Sequence, residues 1–385
     1  MRKARRILVL TLSFGSGHVQ AARAIAQELG HQSSDVEVLV VDALANARLV
    51  FRAGYVWPYW AMVRYAPTLW DRFFKRRTAR MSRHTAPEWA FHWGCPQVFK
   101  TITGFRPDTI IATEVAACEM AAMAKREGLT KARIVSVITD YEAEPVWVKP
   151  EVDAYAVADK HVHDQLCAWG ASPNSIVRCG IPTNPAFYIQ HDEKRTRARY
   201  DLHEQRPIVL VMGGGEGPTH MNEVTAILCA GSESLHVIAV TGFDRRARRK
   251  LAGVRPSPAV SLRVLGWTND IAALMQAASV LVTKPGGLTT VEAAACALPV
   301  VMLDAIPGPE RRNAARLTEV GAGISASGAP EAAAAVRALL KDENARCRMS
   351  ANAKRLARPD AAAAIARLAL DETLPAKESA RRMTA

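Results

Sequence analysis

Twice in this chain an apolar strand runs into a glycine loop and then into a helix, once near the start and once in the second half. The first opening is Arg6–Leu12, then Ser13-Phe14-Gly15-Ser16-Gly17-His18, then a helix expected over Val19–Leu29. The second is the strand Pro207–Met212 running into Gly213-Gly214-Gly215-Glu216-Gly217. A strand followed at once by a helix cannot pair as a hairpin. It must cross over to a parallel neighbour, so each opening predicts its own parallel, helix-covered sheet. At 385 residues the chain is long enough for two such cores. The first loop falls short of a dinucleotide signature. Asp42 closes the next strand, Val36–Val41, where a ribose-binding acid would sit, but Gln20 stands where the third glycine of G-x-G-x-x-G is required.

The densest chemistry lies between Val264 and Leu317. A strand Leu262–Leu265 ends at Gly266-Trp267, a helix follows over about Asn269–Ala278, and a second strand Val280–Thr283 empties into Lys284-Pro285-Gly286-Gly287. A new helix opens at Leu288-Thr289-Thr290. Its unpaired N–H groups and positive dipole end suit a diphosphate, which two glycines allow to come close. Glu292, expected just inside this helix, is a carboxylate able to accept two hydrogen bonds from a vicinal diol such as a ribose. A further strand, Pro299–Leu303, ends at Asp304-Ala305-Ile306-Pro307-Gly308, followed by Glu310 and Asn313. All these loops fall at carboxyl ends of strands, where open α/β sheets bind ligands.

Read together, the strings KPGGLTTVEA and IPGPERRNA resemble the donor half of glycosyltransferase family 28. The resemblance is to its monogalactosyldiacylglycerol synthase and diacylglycerol glucosyltransferase members. It implies an α/β fold of the GT-B kind, two Rossmann-like domains with parallel sheets facing an interdomain cleft. It also implies UDP-galactose or UDP-glucose as donor, inversion at the anomeric carbon, and no bound metal or cofactor. Gly213, Gly214, Gly215, Gly217, Gly266, Trp267, Lys284, Gly286, Gly287, Leu288, Thr289, Glu292, Gly308, Glu310 and Asn313 would then line the donor site. The string S-x-G-x-G-H-x-x-A-A, with Gly15 and Gly17, is similar to the acceptor loop of the same group and makes His18 the expected base. A histidine at a helix start could equally act as its cap.

From Phe105 onward βα alternation resumes. Strands expected over Asp108–Thr113 and Arg133–Thr139 end at Glu114 and Asp140. Here the chain departs from the family, which often has histidines at Glu114 and Glu144 of these segments, and it has Pro309 where relatives often have Gln. Glu114 is therefore a second candidate base, and Asp140 could orient either.

Between Arg48 and Arg83 stand nine aromatic residues and nine Lys or Arg against a single acid, Asp71. Such a mixture suits the headgroup layer of an anionic membrane, and it also suits a stacking surface for single-stranded nucleic acid. The Tyr65-Ala66-Pro67-x-x-Trp70 pattern resembles one in the lipid glycosyltransferases, which favours a diacylglycerol-type acceptor over nucleic acid. Tyr55, Trp57, Trp60, Tyr65, Trp70, Arg72, Lys75, Arg76 and Arg77 are the expected acceptor and membrane contacts.

The formal charge of +13 asks for an anionic partner without choosing one, and no zinc-finger, RRM or helix-turn-helix signature selects nucleic acid. Seven scattered cysteines without a C-x-x-C pair argue against a disulfide framework or structural zinc. No uncharged apolar run is long enough to span a bilayer. A cytoplasmic chain attached peripherally to the inner face of the membrane is the expectation. The expected organisation is an acceptor domain over 1–187, a linker or hinge helix over 188–206, a donor domain over 207–355, and a terminal helix over 356–385 that packs back on the first domain and frays past Leu374. Three other readings stay open: transfer of N-acetylglucosamine to a polyprenyl-linked precursor, epimerisation of a nucleotide sugar, and nucleic-acid binding.

Overall fold

A computed structural model describes residues 4–213 and 219–370. They form two compact units. The first gathers 4–61, 72–184 and 360–370; the second gathers 62–71, 185–213 and 219–359.

The first unit is built on a six-stranded sheet of β1 (Arg5–Thr11), β2 (Val36–Asp42), β3 (Thr109–Ala112), β4 (Arg133–Val137), β5 (Ala154–Val157) and β6 (Ile176–Arg178). Its order is β2-β1-β3-β4-β5-β6, and every pair is parallel. Sequential strands diverge at β1, with β2 on one side and β3 on the other. Such a switch point opens a crevice at the carboxyl ends of the two central strands. Alternate residues of β1 serve opposite faces, Leu8 and Leu10 on one and Ile7 and Val9 on the other. The second face is closed by the terminal helix Ala361–Ala369, whose small side chains let it lie close against the helix Ser16–Gln32. Thr109 Oγ1 donates to the carbonyl of Ala369 at 3.1 Å, and Arg5 donates to that of Leu370.

The second unit repeats the plan with β7 (Ile208–Met212), β8 (Leu235–Val240), β9 (Val260–Leu265), β10 (Val280–Thr283), β11 (Val300–Met302) and β12 (Gly323–Ser325). The order is β12-β11-β10-β7-β8-β9, again all parallel, so the switch point lies between β7 and β10. Val209 and Val211 face one core, and Ile208 and Leu210 the other.

Three segments differ from the sequence expectation. The first helix begins at Ser16, not Val19, because Gly15 takes a positive φ of 96° and turns the chain early; Gly17 and His18 therefore lie in its first turn. The charged stretch 188–206, a linker or hinge helix by sequence, packs within the second unit. It holds a helix, Glu193–Arg199, while Phe187 and Leu202 enter the second unit's core. Arg197 is buried there, with Glu193 at 2.7 Å and the carbonyls of His203 and Arg206 as acceptors. Asp42, placed like a ribose ligand, instead holds the first glycine loop, accepting from the backbone N–H of Ser13 at 2.9 Å and of Leu44 at 3.0 Å. The expected fraying past Leu374 lies outside the described residues.

Candidate functional site

The switch point of the first unit gathers one histidine and its partners. His18 Nδ1 lies 3.0 Å from the carbonyl oxygen of Thr113, at the end of β3, and 3.1 Å from Thr139 Oγ1, beyond the end of β4. A carbonyl only accepts, so Nδ1 carries the proton and Nε2 is left with a lone pair. The Thr113 hydroxyl in turn lies 3.1 Å from the His18 carbonyl and 2.9 Å from Thr11 Oγ1, tying the helix start to β1 and β3. Burial lowers the His18 pKa from its ordinary value, opposed by the nearby Glu114 carboxylate and the bond to Thr113. The side chain is therefore a neutral imidazole near pH 7, with its tautomer fixed by the backbone.

Glu114 is differently employed. It caps the helix Val115–Arg126, accepting through Oε2 from the N–H of Ala116 at 2.7 Å and of Ala117 at 3.2 Å. Burial raises its pKa, and the charge of His18 and these two donors pull it back. Its carboxylate serves as a helix cap, and its charge acts on His18. From the end of β4 it is Thr139 that reaches His18; Asp140 lies near Glu144, where its charge adds to burial in raising that residue's pKa, against the opposing Arg77 guanidinium.

The aromatic and basic stretch folds as two helices, Leu49–Tyr65 and Pro67–Ala79. Only part of it faces solvent. Trp57, Tyr65 and Phe73 are exposed, with Leu49, Val50 and Leu69. Tyr55 and Trp60 turn inward, against the expectation, and pack with Tyr59 around the ring of Phe14 in the first glycine loop. Trp70 is buried in the second unit, where its Nε1 donates to the carbonyl of Pro307 at 3.0 Å and the neighbouring Asp71 pairs with Arg311. Arg77 also leaves the expected membrane set, since it is paired with Glu144 and largely buried; Arg72, Lys75 and Arg76 are exposed. Two exposed tryptophans further on, Trp89 and Trp93 on the helix Glu88–Gly94, were not marked by the sequence pattern.

In the second unit, β10 ends at Lys284-Pro285-Gly286, and the helix Gly287–Ala295 starts there. Gly286 has an ordinary φ of −66°, and a Cβ on it would meet nothing nearer than 3.8 Å. Neither backbone strain nor packing demands glycine, so the open space beside these N–H groups is what the residue supplies. Asn313, fully buried, donates from Nδ2 to the Pro285 carbonyl at 3.0 Å, and so holds the loop from behind. Glu310 is engaged as well, by Lys284 Nζ and by the N–H of Ile306, each at 2.9 Å. Leu288 is buried, and the Thr289 hydroxyl lies beside Gly286. Gly308 takes a φ of 108° where the helix Pro309–Glu319 begins.

Glu292 lies in the second turn of its helix, beyond the first turn where the sequence placed it. It has no hydrogen-bond or ion-pair partner among the described residues, and burial pushes its pKa up to about 7. Gly213 is described, but Gly214, Gly215 and Gly217 lie outside the described residues. Trp267, after β9, is stacked on Phe243 with ring centroids 4.8 Å apart, a partner the sequence did not mark. His220 and Asp304 form an ion pair at the same sheet edge, also unforeseen, from positions 84 residues apart.

Compared with known proteins, residues 18–183 match the family model for monogalactosyldiacylglycerol (MGDG) synthase, and residues 257–356 match that for glycosyl transferases group 1. The chain is 27% identical over 343 residues to a processive diacylglycerol beta-glucosyltransferase of Bacillus cereus, covering 89% of this chain and 87% of the relative. In fold it is similar to Acinetobacter baumannii MurG, with a TM-score of 0.61 at 15% identity over 95% of this chain and 99% of that one. It is also similar to the UDP-GlcNAc 2-epimerase of Neisseria meningitidis bound to UDP-GlcNAc, with a TM-score of 0.65 at 11% identity over 95% of this chain and 100% of that one. The architecture is that of the GT-B proteins. The two family matches fall on the two halves that carry these switch points, and the chain is similar to the monogalactosyldiacylglycerol synthase and diacylglycerol glucosyltransferase group of glycosyltransferase family 28.

Proposed function

We propose that the protein transfers a hexose from UDP-glucose or UDP-galactose to the hydroxyl of a diacylglycerol-type lipid, with inversion, giving a β-glycosyl lipid and UDP. The observation that carries this reading is the fixed tautomer of His18, whose Nδ1–H is committed to the Thr113 carbonyl while Nε2 remains an acceptor. An alcohol is a weak nucleophile, so its proton must leave as the new bond forms. His18 Nε2 takes that proton, the lipid oxygen attacks the anomeric carbon, and the bond to the diphosphate breaks with its electron pair leaving on UDP. Glu114, which already acts on His18 through its charge, steadies the imidazolium. The second unit holds the donor: Glu292 accepts from the ribose diol, and the N-terminus of the helix Gly287–Ala295 faces the diphosphate. Charge on the departing group is met by backbone N–H groups in this scheme, so no metal is assigned to it, and chelation by EDTA should leave the rate unchanged.

The acceptor assignment draws on the likeness to the Bacillus cereus diacylglycerol enzyme and on the exposed Trp57, Tyr65 and Phe73. No helix among the described residues is long and apolar enough to cross a membrane. Attachment from the cytoplasmic side through this surface is therefore part of the proposal. The decisive experiment is incubation with each UDP-hexose and diacylglycerol vesicles, followed by lipid chromatography and anomeric assignment by NMR. A β-glycosyl diacylglycerol is expected. Release of an epimerised nucleotide sugar, or transfer only to a polyprenyl-linked acceptor, would overturn the assignment.

A further inference from the structure

The order of the second sheet places β10 between β7 and β11. His220 follows β7 and Asp304 follows β11, yet the two side chains meet, so their contact passes over the carboxyl end of β10. That is where Lys284-Pro285-Gly286 turns into the helix Gly287–Ala295. Asp304 binds its partner twice. One carboxylate oxygen accepts from the backbone N–H of His220 at 2.6 Å, and the other pairs with ring Nδ1. To do so Asp304 holds a positive φ of 58°, a conformation that residues other than glycine seldom take. The ring is thereby fixed in orientation, and its Nε2 has no partner among the described residues.

We propose that His220, seated by Asp304 over the end of β10, donates a hydrogen bond from Nε2 to the diphosphate of the bound nucleotide sugar and counters the charge that this group gains as it leaves. The inference rests on the donor reading above. Its second support is electrostatic. The hydrogen bond to Asp304 raises the His220 pKa above its ordinary value, with the charges of Asp304 and Glu223 adding to it and burial opposing. Lys284, at the end of β10, already has its charge met by Glu310 at 2.9 Å.

Calorimetry with UDP and with uridine tests the assignment on three variants. His220→Asn keeps a short amide that can donate to Asp304 and can cap the helix Met221–Cys229, but it has nothing at the Nε2 position. It should weaken UDP binding about tenfold to a hundredfold and leave uridine binding unchanged. His220→Ala should do the same, and His220→Gln, whose longer amide reaches the Nε2 position, should recover part of the loss. Wild-type UDP affinity in His220→Asn, or equal losses for UDP and uridine, would overturn the proposal. Should the wild-type chain bind ADP, GDP or TDP in place of UDP, the uridine reading fails while the His220 assignment is decided by the same variants on that diphosphate. Binding of none of the four overturns both.

Discussion

Burial acts in opposite directions on the two ionisable groups on which the proposed chemistry turns. Glu292 is pushed up to about 7, because its carboxylate is desolvated and no partner among the described residues compensates it. A carboxyl whose pKa is higher folded than unfolded contributes stability that is fully present below its unfolded value, near roughly 4.3, and is lost as the pH rises through 7. Glu292→Gln cannot ionise, so its urea midpoint should match wild type at pH 4 and exceed it at pH 8 by about 2 kcal/mol of unfolding free energy. The same variant should bind UDP at least tenfold more weakly by calorimetry, since a charged acceptor for the diol is gone. Equal stability at pH 8 or unchanged UDP affinity would remove Glu292 from the donor site. His18 is shifted the other way, below an ordinary value of about 6.5, and loses activity only as the pH falls through that lowered value. His18→Ala should reduce kcat by about 10²–10⁴ with UDP affinity intact. Glu114→Gln, which keeps an oxygen for the helix cap, should cost less and move the acid limb of kcat/KM to still lower pH. A larger loss in Glu114→Gln would return the role of base to Glu114.

At the scale of elements, two glycines separate a fold requirement from a ligand requirement. Gly286 has an unstrained backbone and free space for a methyl group, so Gly286→Ala should melt like wild type yet lose UDP affinity tenfold or more if a diphosphate approaches that loop. Gly308, with a φ of 108°, should show the converse. Gly308→Ala strains the turn and should lower stability by about 1–2 kcal/mol, read as a shift in the unfolding midpoint. These turns also show what a linear reading can and cannot reach. Strand ends, the two parallel helix-covered sheets and the loop 284–287 were legible because each depends on short-range pattern: an apolar run, a glycine, a helix start. The capping role of Glu114 could have been read locally as well, since its partners are only two and three residues ahead. Thr139 beside His18 and Asp304 beside His220 could not. Those contacts span 121 and 84 residues and are created by which strands become neighbours. The stretch 188–206 was legible as a linker or hinge helix, but its charges mask the buried Leu202, and Arg197 is tolerated inside because Glu193 and two carbonyls satisfy it.

For the whole molecule, composition gave a basic chain with an aromatic stretch, and the fold divides that stretch into two populations with different expected behaviour. On the helices Leu49–Tyr65 and Pro67–Ala79, Trp57 is 72% exposed and Tyr65 79%, and Arg72, Lys75 and Arg76 of the same stretch are exposed as well. Side chains that expensive to leave in water, in a stretch with exposed cations, are what a headgroup layer would cover. Tyr55, Trp60, Trp70 and Arg77 come from the same stretch but are already spent on internal contacts. Flotation with vesicles can tell the two apart. Wild type should float with vesicles rich in anionic lipid and be released by salt, because charges beyond the Debye length are screened. Arg72, Lys75 and Arg76 replaced by Ser should weaken binding by about 1 kcal/mol each, and Trp57→Ser with Tyr65→Ser should weaken it further even at high salt, all with unchanged melting temperature. Arg77→Ser should act differently. It strands the buried Glu144, whose pKa burial already raises, so it should lower stability by about 3 kcal/mol and affect flotation only through unfolding. Equal flotation with neutral and anionic vesicles, or a loss in Arg77→Ser confined to lipid binding, would show that the exposed face is not the surface that meets the membrane.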